Sequence, residues 1–577
     1  MSIYELRIPD IGDFKDVEII EVLVKPGEKV DIDQSIITIE SDKASMEIPC
    51  NKKGIIKELK VNVGDKVSKD SIILLMNVDS ENFSSKNDSL RDLTSNNSET
   101  DTLDNQILQM SFDTIVLGAG PAGYTAAFRA ADLGQKVALI ERDQNLGGVC
   151  LNVGCIPSKA LLHAAKVITD AEEMSKFGIE ISKPKIDLTK IRSWKNGIIK
   201  KLTDGLTALS KSRRVEIING IGSFETSESI KVKSNTSTKI IHFKNAIIAA
   251  GSSAVKIPNF PYNDERIFDS TGALQLKDIP EKLLIIGGGI IGLEMACVYD
   301  ALGSKVTIVE FSDRLISIAD KDIVKPLFKR IKARYEAIYL NTKVSSLESL
   351  PNGILASLEQ KNGNLEKKLF DKVLVAVGRK PNGKKISAEK AGVFVNDKGF
   401  IPVDKELRTN IKNIFAIGDI CGEPMLAHKA SSEAKIVAEI ISGKKNVFDA
   451  VTIPSVAYTD PEVAWMGISE DEAKNKGISY EKSIFPWSAS GRALAMGRSE
   501  GLTKLIWEPE TKKIIGAGIT GISAGELLGE IVLAMEMGAD LEDLALTVHA
   551  HPTLSETPML AAEIGLGSIT DLHVKQK

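Results

Sequence analysis

Five cysteines are spread over 577 residues, at 50, 150, 155, 297 and 421, and only two of them lie close together. Cys150 and Cys155 stand in the run Gly147-Gly148-Val149-Cys150-Leu151-Asn152-Val153-Gly154-Cys155-Ile156-Pro157-Ser158-Lys159. Cysteines five apart can meet if the first helical turn distorts, and Pro157 suits a helix start. Cys155 then lies near a helix N-terminus, where a thiolate is stabilised. A tetrahedral metal site needs two more ligands, and Cys297 and Cys421 sit far off in the chain. Two inert buried thiols are the bland alternative, which the adjoining nucleotide-type sequence disfavours. The spacing predicts a redox disulfide.

The second chemical signal is a pair of glycine-rich turns. Gly118, Gly120 and Gly123 lie between an apolar run and an alanine-rich stretch, and Glu141 closes the next apolar run. Gly287, Gly289, Gly292 and Glu310 repeat the pattern. Such glycines let backbone N–H groups approach a pyrophosphate at a helix N-terminus, and the acid accepts hydrogen bonds from ribose hydroxyls. A single GxGxxG often marks only a tight turn. Two copies, each with an acid 18 residues after its last glycine, predict two dinucleotide sites. Glu310 opposes a 2′-phosphate and favours NAD over NADP, although Arg314 follows four residues later.

These residues need particular elements to place them. Residues 113–141 align without gaps to 282–310, with nine identities in 29, each reading as strand, turn, helix, strand. Earlier, 23–39 aligns to 60–76 with six identities in 17, each half reading as strand, Gly-containing turn, strand. Two such halves predict a small β-sandwich with quasi-twofold symmetry. Between them Glu40-Ser41-Asp42-Lys43-Ala44-Ser45 predicts a hairpin with Lys43 at its tip. Residues 79–110 are rich in Ser, Asn and Asp and lack apolar periodicity, which predicts a flexible tether.

Composition narrows the classes further. The balance of 73 basic and 78 acidic residues gives a net charge of −5, which favours neither nucleic acid nor an anionic membrane as the main partner. No apolar run reaches the ~18 residues of a membrane span. The first residues show no basic segment followed by an apolar one, so a cytoplasmic protein is expected.

From these residues a family resemblance follows. The run around Cys150 and Cys155, placed after Gly118-Ala119-Gly120-Pro121-Ala122-Gly123, resembles the active-site segment of flavoprotein disulfide reductases. Further matching pieces are Ala249-Ala250-Gly251-Ser252, Gly378-Arg379-Lys380-Pro381-Asn382, Phe415-Ala416-Ile417-Gly418-Asp419 and His549-Ala550-His551-Pro552-Thr553-Leu554-Ser555-Glu556. The resemblance covers about residues 111–577, and residues 1–80 resemble a lipoyl domain. It implies an α/β enzyme with two Rossmann-like domains, binding FAD and NAD, plus an α+β dimerisation domain, preceded by a small all-β lipoyl domain. The implied boundaries are 1–80 lipoyl, 81–110 linker, 111–262 FAD-binding, 263–385 NAD-binding, 386–453 central and 454–577 dimerisation. Cys50, unexpected in a lipoyl domain, reads as a semi-buried bystander.

The resemblance also implies roles. Cys150 exchanges with substrate and Cys155 faces the flavin, with Lys159 near the flavin ring and Glu294 as its partner. Gly118, Gly120, Gly123, Glu141, Gly251 and Asp419 serve FAD; Gly287, Gly289, Gly292, Glu310 and Gly378 serve NAD. His551 is the acid–base group, oriented by Glu556, and it completes the site of the other subunit of a homodimer. His549 supports the fold. Lys43 carries a covalent lipoyl arm. The implied reaction is oxidation of protein-bound dihydrolipoyl groups with NAD+, and the implied partners are lipoylated acyltransferase subunits of 2-oxo acid dehydrogenase complexes. The alternatives are another FAD-dependent disulfide or metal reductase, glutathione- or mercuric-reductase-like, or a mainly scaffolding role with 1–80 as a docking module.

Overall fold

The computed structural model describes residues 2–8, 16–31, 34–41, 44–78 and 109–573. The chain divides into two compact units, residues 1–104 and 105–577. The expected linker, apart from its last two positions, lies outside the described residues.

Eight strands among the described residues build the first unit: β1 (Ser2–Arg7), β2 (Val17–Val22), β3 (Lys29–Val30), β4 (Ser35–Ser41), β5 (Ala44–Pro49), β6 (Gly54–Leu59), β7 (Lys66–Val67) and β8 (Ile72–Val78). They form two four-stranded sheets, ordered β1-β8-β6-β3 and β5-β4-β2-β7. Exchanging β1 with β5, β2 with β6, β3 with β7 and β4 with β8 converts one order into the other. The repeat has a physical cause. Neither half can bury its apolar face alone, so equivalent residues of both halves meet in one core. Val24 and Val61, Val30 and Val67, Ile36 and Ile73, Ile37 and Leu74, and Ile39 and Met76 are all buried. β4 and β5 pair antiparallel with Ser41 opposite Ala44, the expected hairpin. Lys43, between them, lies outside the described residues. Cys50 departs from expectation: it is 1% exposed, not semi-buried, with Sγ 3.0 Å from the Lys52 carbonyl and 3.7 Å from Met76 Sδ. It fills the core as a small apolar side chain.

The second unit holds both predicted strand–helix–strand repeats. In the first, β9 (Gln109–Leu117), α1 (Pro121–Asp132) and β10 (Val137–Glu141) follow in order, and the strands pair in parallel with Val137 opposite Thr114. All five residues of β10 are buried, which explains its unbroken apolar run. Glu216–Asn219 extends this sheet beyond β10, and Thr238–Ile248 and then Ile414–Ala416 extend it beyond β9. The chain therefore returns to the first sheet after leaving the second. In the second repeat, strand Lys282–Ile286, helix Ile290–Leu302 and strand Lys305–Val309 sit inside a five-stranded parallel sheet. A further layer is an antiparallel sheet of Ser455–Ala457, Glu462–Gly467, Glu481–Pro486, Leu502–Trp507 and Ile514–Gly521. Its core gathers Phe485, Trp487 and Trp507 with Leu528 and Ile531 of helix Ala524–Glu536.

One ionic cluster ties this layer to the segment that follows the second repeat. The Lys504 ammonium, 1% exposed, lies 2.8 Å from Asp320, 2.9 Å from Asp322 and 2.5 Å from Glu470. Three converging carboxylates could hold a cation, and here an internal ammonium is that cation. Burial pushes the Glu470 carboxyl up, but hydrogen bonds from Lys482, Lys504 and Tyr480 outweigh it and hold it down at about 2.

Candidate active site

Cys150 and Cys155 are disulfide-bonded, with their Cα atoms 4.7 Å apart. The distortion that the spacing requires is a break between two helices. Cys150 lies in α2 (Gly148–Val153), and Cys155 is the first residue of α3 (Cys155–Glu173). Gly154 makes the break possible, because a Cβ there would sit 2.8 Å from the Val149 carbonyl oxygen. Asn152 Nδ2 ties the short helix down by donating to the carbonyls of Leu146 and Gly148, each at 3.0 Å. The other thiols of this unit stay protonated at neutral pH. Burial pushes Cys297 up to about 11 and Cys421 up to about 12.

The two glycine turns repeat one geometry. A Cβ on Gly118 or Gly287 would strike the carbonyl of a neighbouring strand, Ala249 or Ala376. One on Gly123 or Gly292 would strike the first glycine's own carbonyl. The middle glycines differ: nothing lies within 4 Å of a Cβ on Gly289, and only the Gly148 Cα, at 4.0 Å, meets one on Gly120. Outer glycines thus pack strand against helix, while the middle ones leave open space where a ligand backbone can approach. Each acid folds back over its turn. Glu141 accepts from Ala119 N (2.6 Å) and Asp143 N (3.1 Å); Glu310 accepts from Gly288 N (2.6 Å) and Ser312 N (2.7 Å). Every carboxylate oxygen keeps a lone pair for a ribose hydroxyl.

A single cavity of about 1570 Å³ joins these parts. Gly118, Gly120 and Glu141 line it, as do Gly287, Gly289 and Glu310, with Cys150, Cys155 and Lys159 along its wall. Its volume exceeds the roughly 300–1,000 Å³ of ordinary small-molecule pockets, and it offers dinucleotide cradles at two places. Lys159 Nζ lies 3.0 and 3.2 Å from the two oxygens of Glu294, whose side chain is 5% exposed. Tyr458, also in the wall, completes this group. Its backbone N–H donates to Glu294 (3.1 Å), and its ring lies 4.3 Å below the ammonium. Nothing about Tyr458 in sequence marked it, because it arrives from another layer.

Gly251, Gly378 and Asp419 line the same cavity. Asp419 accepts from Ser252 Oγ (2.5 Å), and Ser252 Oγ accepts from Arg379 Nε (2.7 Å). Three runs distant in sequence therefore close into one relay. In sequence Arg379 stands out only as part of the Gly378–Asn382 run; burial lowers its guanidinium from its usual value, while Asp419 favours the charge.

His551 and Glu556 form their own pair away from this wall. His551 Nδ1 lies 2.8 Å from Glu556 Oε1, and Glu556 Oε2 accepts from Thr553 N at 2.8 Å. The imidazole is 78% exposed and does not line the cavity of its own chain. His549 is instead tied down, by the Thr547 carbonyl at 2.8 Å and Glu530 at 2.5 Å, in keeping with a supporting role.

Comparison with known proteins agrees with this architecture. A profile described as pyridine nucleotide-disulphide oxidoreductase matches residues 112–434, and the dimerisation domain of the same group matches 453–562. A third, described as biotin-requiring enzyme, matches residues 4–76. A dihydrolipoyl dehydrogenase of Vibrio parahaemolyticus is 55% identical over 468 residues, covering 81% of this chain and 98% of that protein. One from Vibrio cholerae is 55% identical over 464 residues, covering 80% and 98%. Among solved structures, the Cu(II) complex of the HOCl-induced flavoprotein disulfide reductase RclA from Escherichia coli superposes with a TM-score of 0.71 at 27% identity, covering 79% of this chain and 99% of that one. On the extent of these matches and the geometry above, the chain belongs to the pyridine nucleotide-disulphide oxidoreductase family.

Proposed function

We propose that this chain is a dihydrolipoyl dehydrogenase: it oxidises dihydrolipoyl groups to the lipoyl disulfide and passes the electron pair to NAD+. The observation that carries this reading is the Cys150–Cys155 disulfide in the wall of the cavity that joins two dinucleotide cradles. FAD fits the first cradle, where Gly118, Gly120, Gly123, Glu141, Gly251 and Asp419 would hold it. NAD+ fits the second, at Gly287, Gly289, Gly292, Glu310 and Gly378. A bound FAD supplies the two-electron acceptor between the dithiol and the nicotinamide.

The residues of the chain perform the thiol chemistry. His551, from the second subunit of a homodimer, takes a proton from the substrate dithiol at Nε2, while Glu556 holds Nδ1 and stabilises the imidazolium. The substrate thiolate attacks Cys150 Sγ; the S–S bond breaks and Cys155 leaves as a thiolate, stabilised at the N-terminus of α3. The second substrate thiol displaces Cys150, closing the lipoyl disulfide and leaving two reduced cysteines. Lys159, fixed between Glu294 and Tyr458, sets a positive charge beside the reduced centre. The dimerisation-domain match and the exposed His551 support a shared site, and Leu533, Met537, Leu546 and Val548 present an exposed apolar face on the same layer.

Domain boundaries follow the same reading: 1–80 lipoyl, 81–110 linker, 111–262, 263–385 and 386–453 around the cofactors, and 454–577 for dimerisation. Lys43 would carry the lipoyl arm, and the tether would keep its local concentration on the order of millimolar. Lipoylated acyltransferase subunits of 2-oxo acid dehydrogenase complexes are the partners, and the cytoplasm is the site of action. No helix among the described residues is long and apolar enough to cross a membrane. NADH formation from dihydrolipoamide, compared with NADPH-driven glutathione reduction, tests the activity. Absence of dihydrolipoamide turnover overturns it. Intact-mass comparison of wild type with Lys43→Arg tests lipoylation; an unmodified Lys43 in lipoate-replete cells overturns that assignment.

A further inference from the structure

We infer that Asp471 is a positioning residue for nucleotide selectivity: its ion pair with Arg314 withholds a guanidinium from the ribose 2′ edge of the second cradle. This rests on the reading of that cradle as an NAD+ site. Arg314 is the one basic residue between Glu310 and Asp320, and an arginine so placed is well suited to a 2′-phosphate.

The backbone puts Arg314 close to that edge. The loop after Glu310 folds over the turn: Ile316 N donates to the Gly288 carbonyl (3.0 Å), and Leu315 occupies the space where a Cβ on Gly288 would fall, beside Glu310. Arg314 leaves the loop one residue earlier, yet unlike Phe311 and Ser312 it does not line the cavity. Nη2 donates to Asp471 Oδ2 at 2.8 Å, only 23% of the side chain is exposed, and Nε is buried without a hydrogen-bond partner among the described residues. A buried, unpartnered Nε marks a guanidinium held by its terminal contact alone.

Asp471 can exert this hold because its own turn is pinned. It is the second residue of helix Glu470–Lys476. Its neighbour Glu470 is fixed by Lys504 (2.5 Å) and Lys482 (2.6 Å), and Glu470 N donates to Asp320 (3.0 Å). Other cations nearby are likewise matched. Lys321 pairs with Asp313 (3.2 Å), and Lys343, one residue after the Thr342 whose N–H meets the Glu310 carbonyl, pairs with Glu359 (3.0 Å). Selectivity against a 2′-phosphate is therefore double: Glu310 occupies the edge with negative charge, and Asp471 removes the positive one.

The test is a binding cycle on FAD-loaded enzyme, with 2′,5′-ADP and 5′-AMP as probes in calorimetry. Glu310→Ser removes the like charge and serves as background. Adding Asp471→Asn there is expected to tighten 2′,5′-ADP binding roughly 3- to 10-fold, the scale of a partly exposed charge-assisted contact, with 5′-AMP unchanged. Adding Arg314→Gln abolishes the gain, and kcat/KM for NADP+ follows the same order. No tightening, or a gain that survives Arg314→Gln, overturns the proposal. A wild-type enzyme that prefers NADP+ to NAD+ instead overturns the reading of the cradle beneath it.

Discussion

Substituting two glycines of one turn separates packing from ligand approach. Gly292→Ala places a Cβ on the Gly287 carbonyl oxygen, a backbone atom that cannot rotate away, so helix Ile290–Leu302 must shift from strand Lys282–Ile286. Overpacking of this kind costs about 1–3 kcal/mol, and a displacement near 1 Å at a binding turn can cost about 100-fold in function. Gly289→Ala meets nothing within 4 Å, and its backbone is extended, at φ −81° and ψ −178°. Its stability cost is that of Ala at a helix N-cap, about 0.5–1 kcal/mol. On the proposed reading of that space the new methyl would stand where the NAD+ pyrophosphate approaches, so the effect on NAD+ is larger. Loss of one charge-assisted hydrogen bond, about 1.5–3 kcal/mol, weakens binding about 10- to 150-fold. Thermal scanning of FAD-loaded protein reads the first quantity, and calorimetric titration with NAD+ reads the second. Gly289→Ala binding NAD+ as tightly as wild type would refute the assignment of that space. Gly292→Ala melting like wild type would refute the packing argument.

Mixing subunits tests the shared site: Cys150→Ser and His551→Gln homodimers are each inactive, but random mixed dimers regain about a quarter of wild-type activity, since one site of each heterodimer is intact. No recovery would mean that both groups act within one chain. Lys504→Met keeps the stem but strands three carboxylates, with an expected cost of about 3–5 kcal/mol by denaturant melting; an unchanged midpoint contradicts a stabilising role for this ionic cluster. Because Glu470 is held at about 2 when folded, it adds stability above its unfolded value near 4.5 and loses it as pH falls from about 5 toward 2. Melting temperature should therefore drop across that window, and drop less steeply in Lys504→Met. Equal slopes would show that Lys504 does not hold Glu470.

The parts with a local signal were legible in the sequence. Apolar runs, glycine spacing and a closing acid made both strand–turn–helix–strand units legible, since backbone sterics and strand burial act within thirty residues. The internal repeats in turn revealed the symmetric sandwich. The five-residue spacing of Cys150 and Cys155 required a helix distortion, and the break at Gly154 is that distortion.

Contacts that depend on distant segments meeting came only with packing. Tyr458 reaches Lys159 only because strand Ser455–Ala457 packs beside helix Ile290–Leu302. Arg379, Ser252 and Asp419 join from three separate runs. Arg314, ambiguous in sequence beside Glu310, is settled in position by Asp471, 157 residues later. Charge and hydrogen-bond partners act through space at a few ångströms, and no local periodicity records which remote carboxylate will be there. The position of His551, exposed and outside its own cavity, is likewise a property of packing and not of the residues around it.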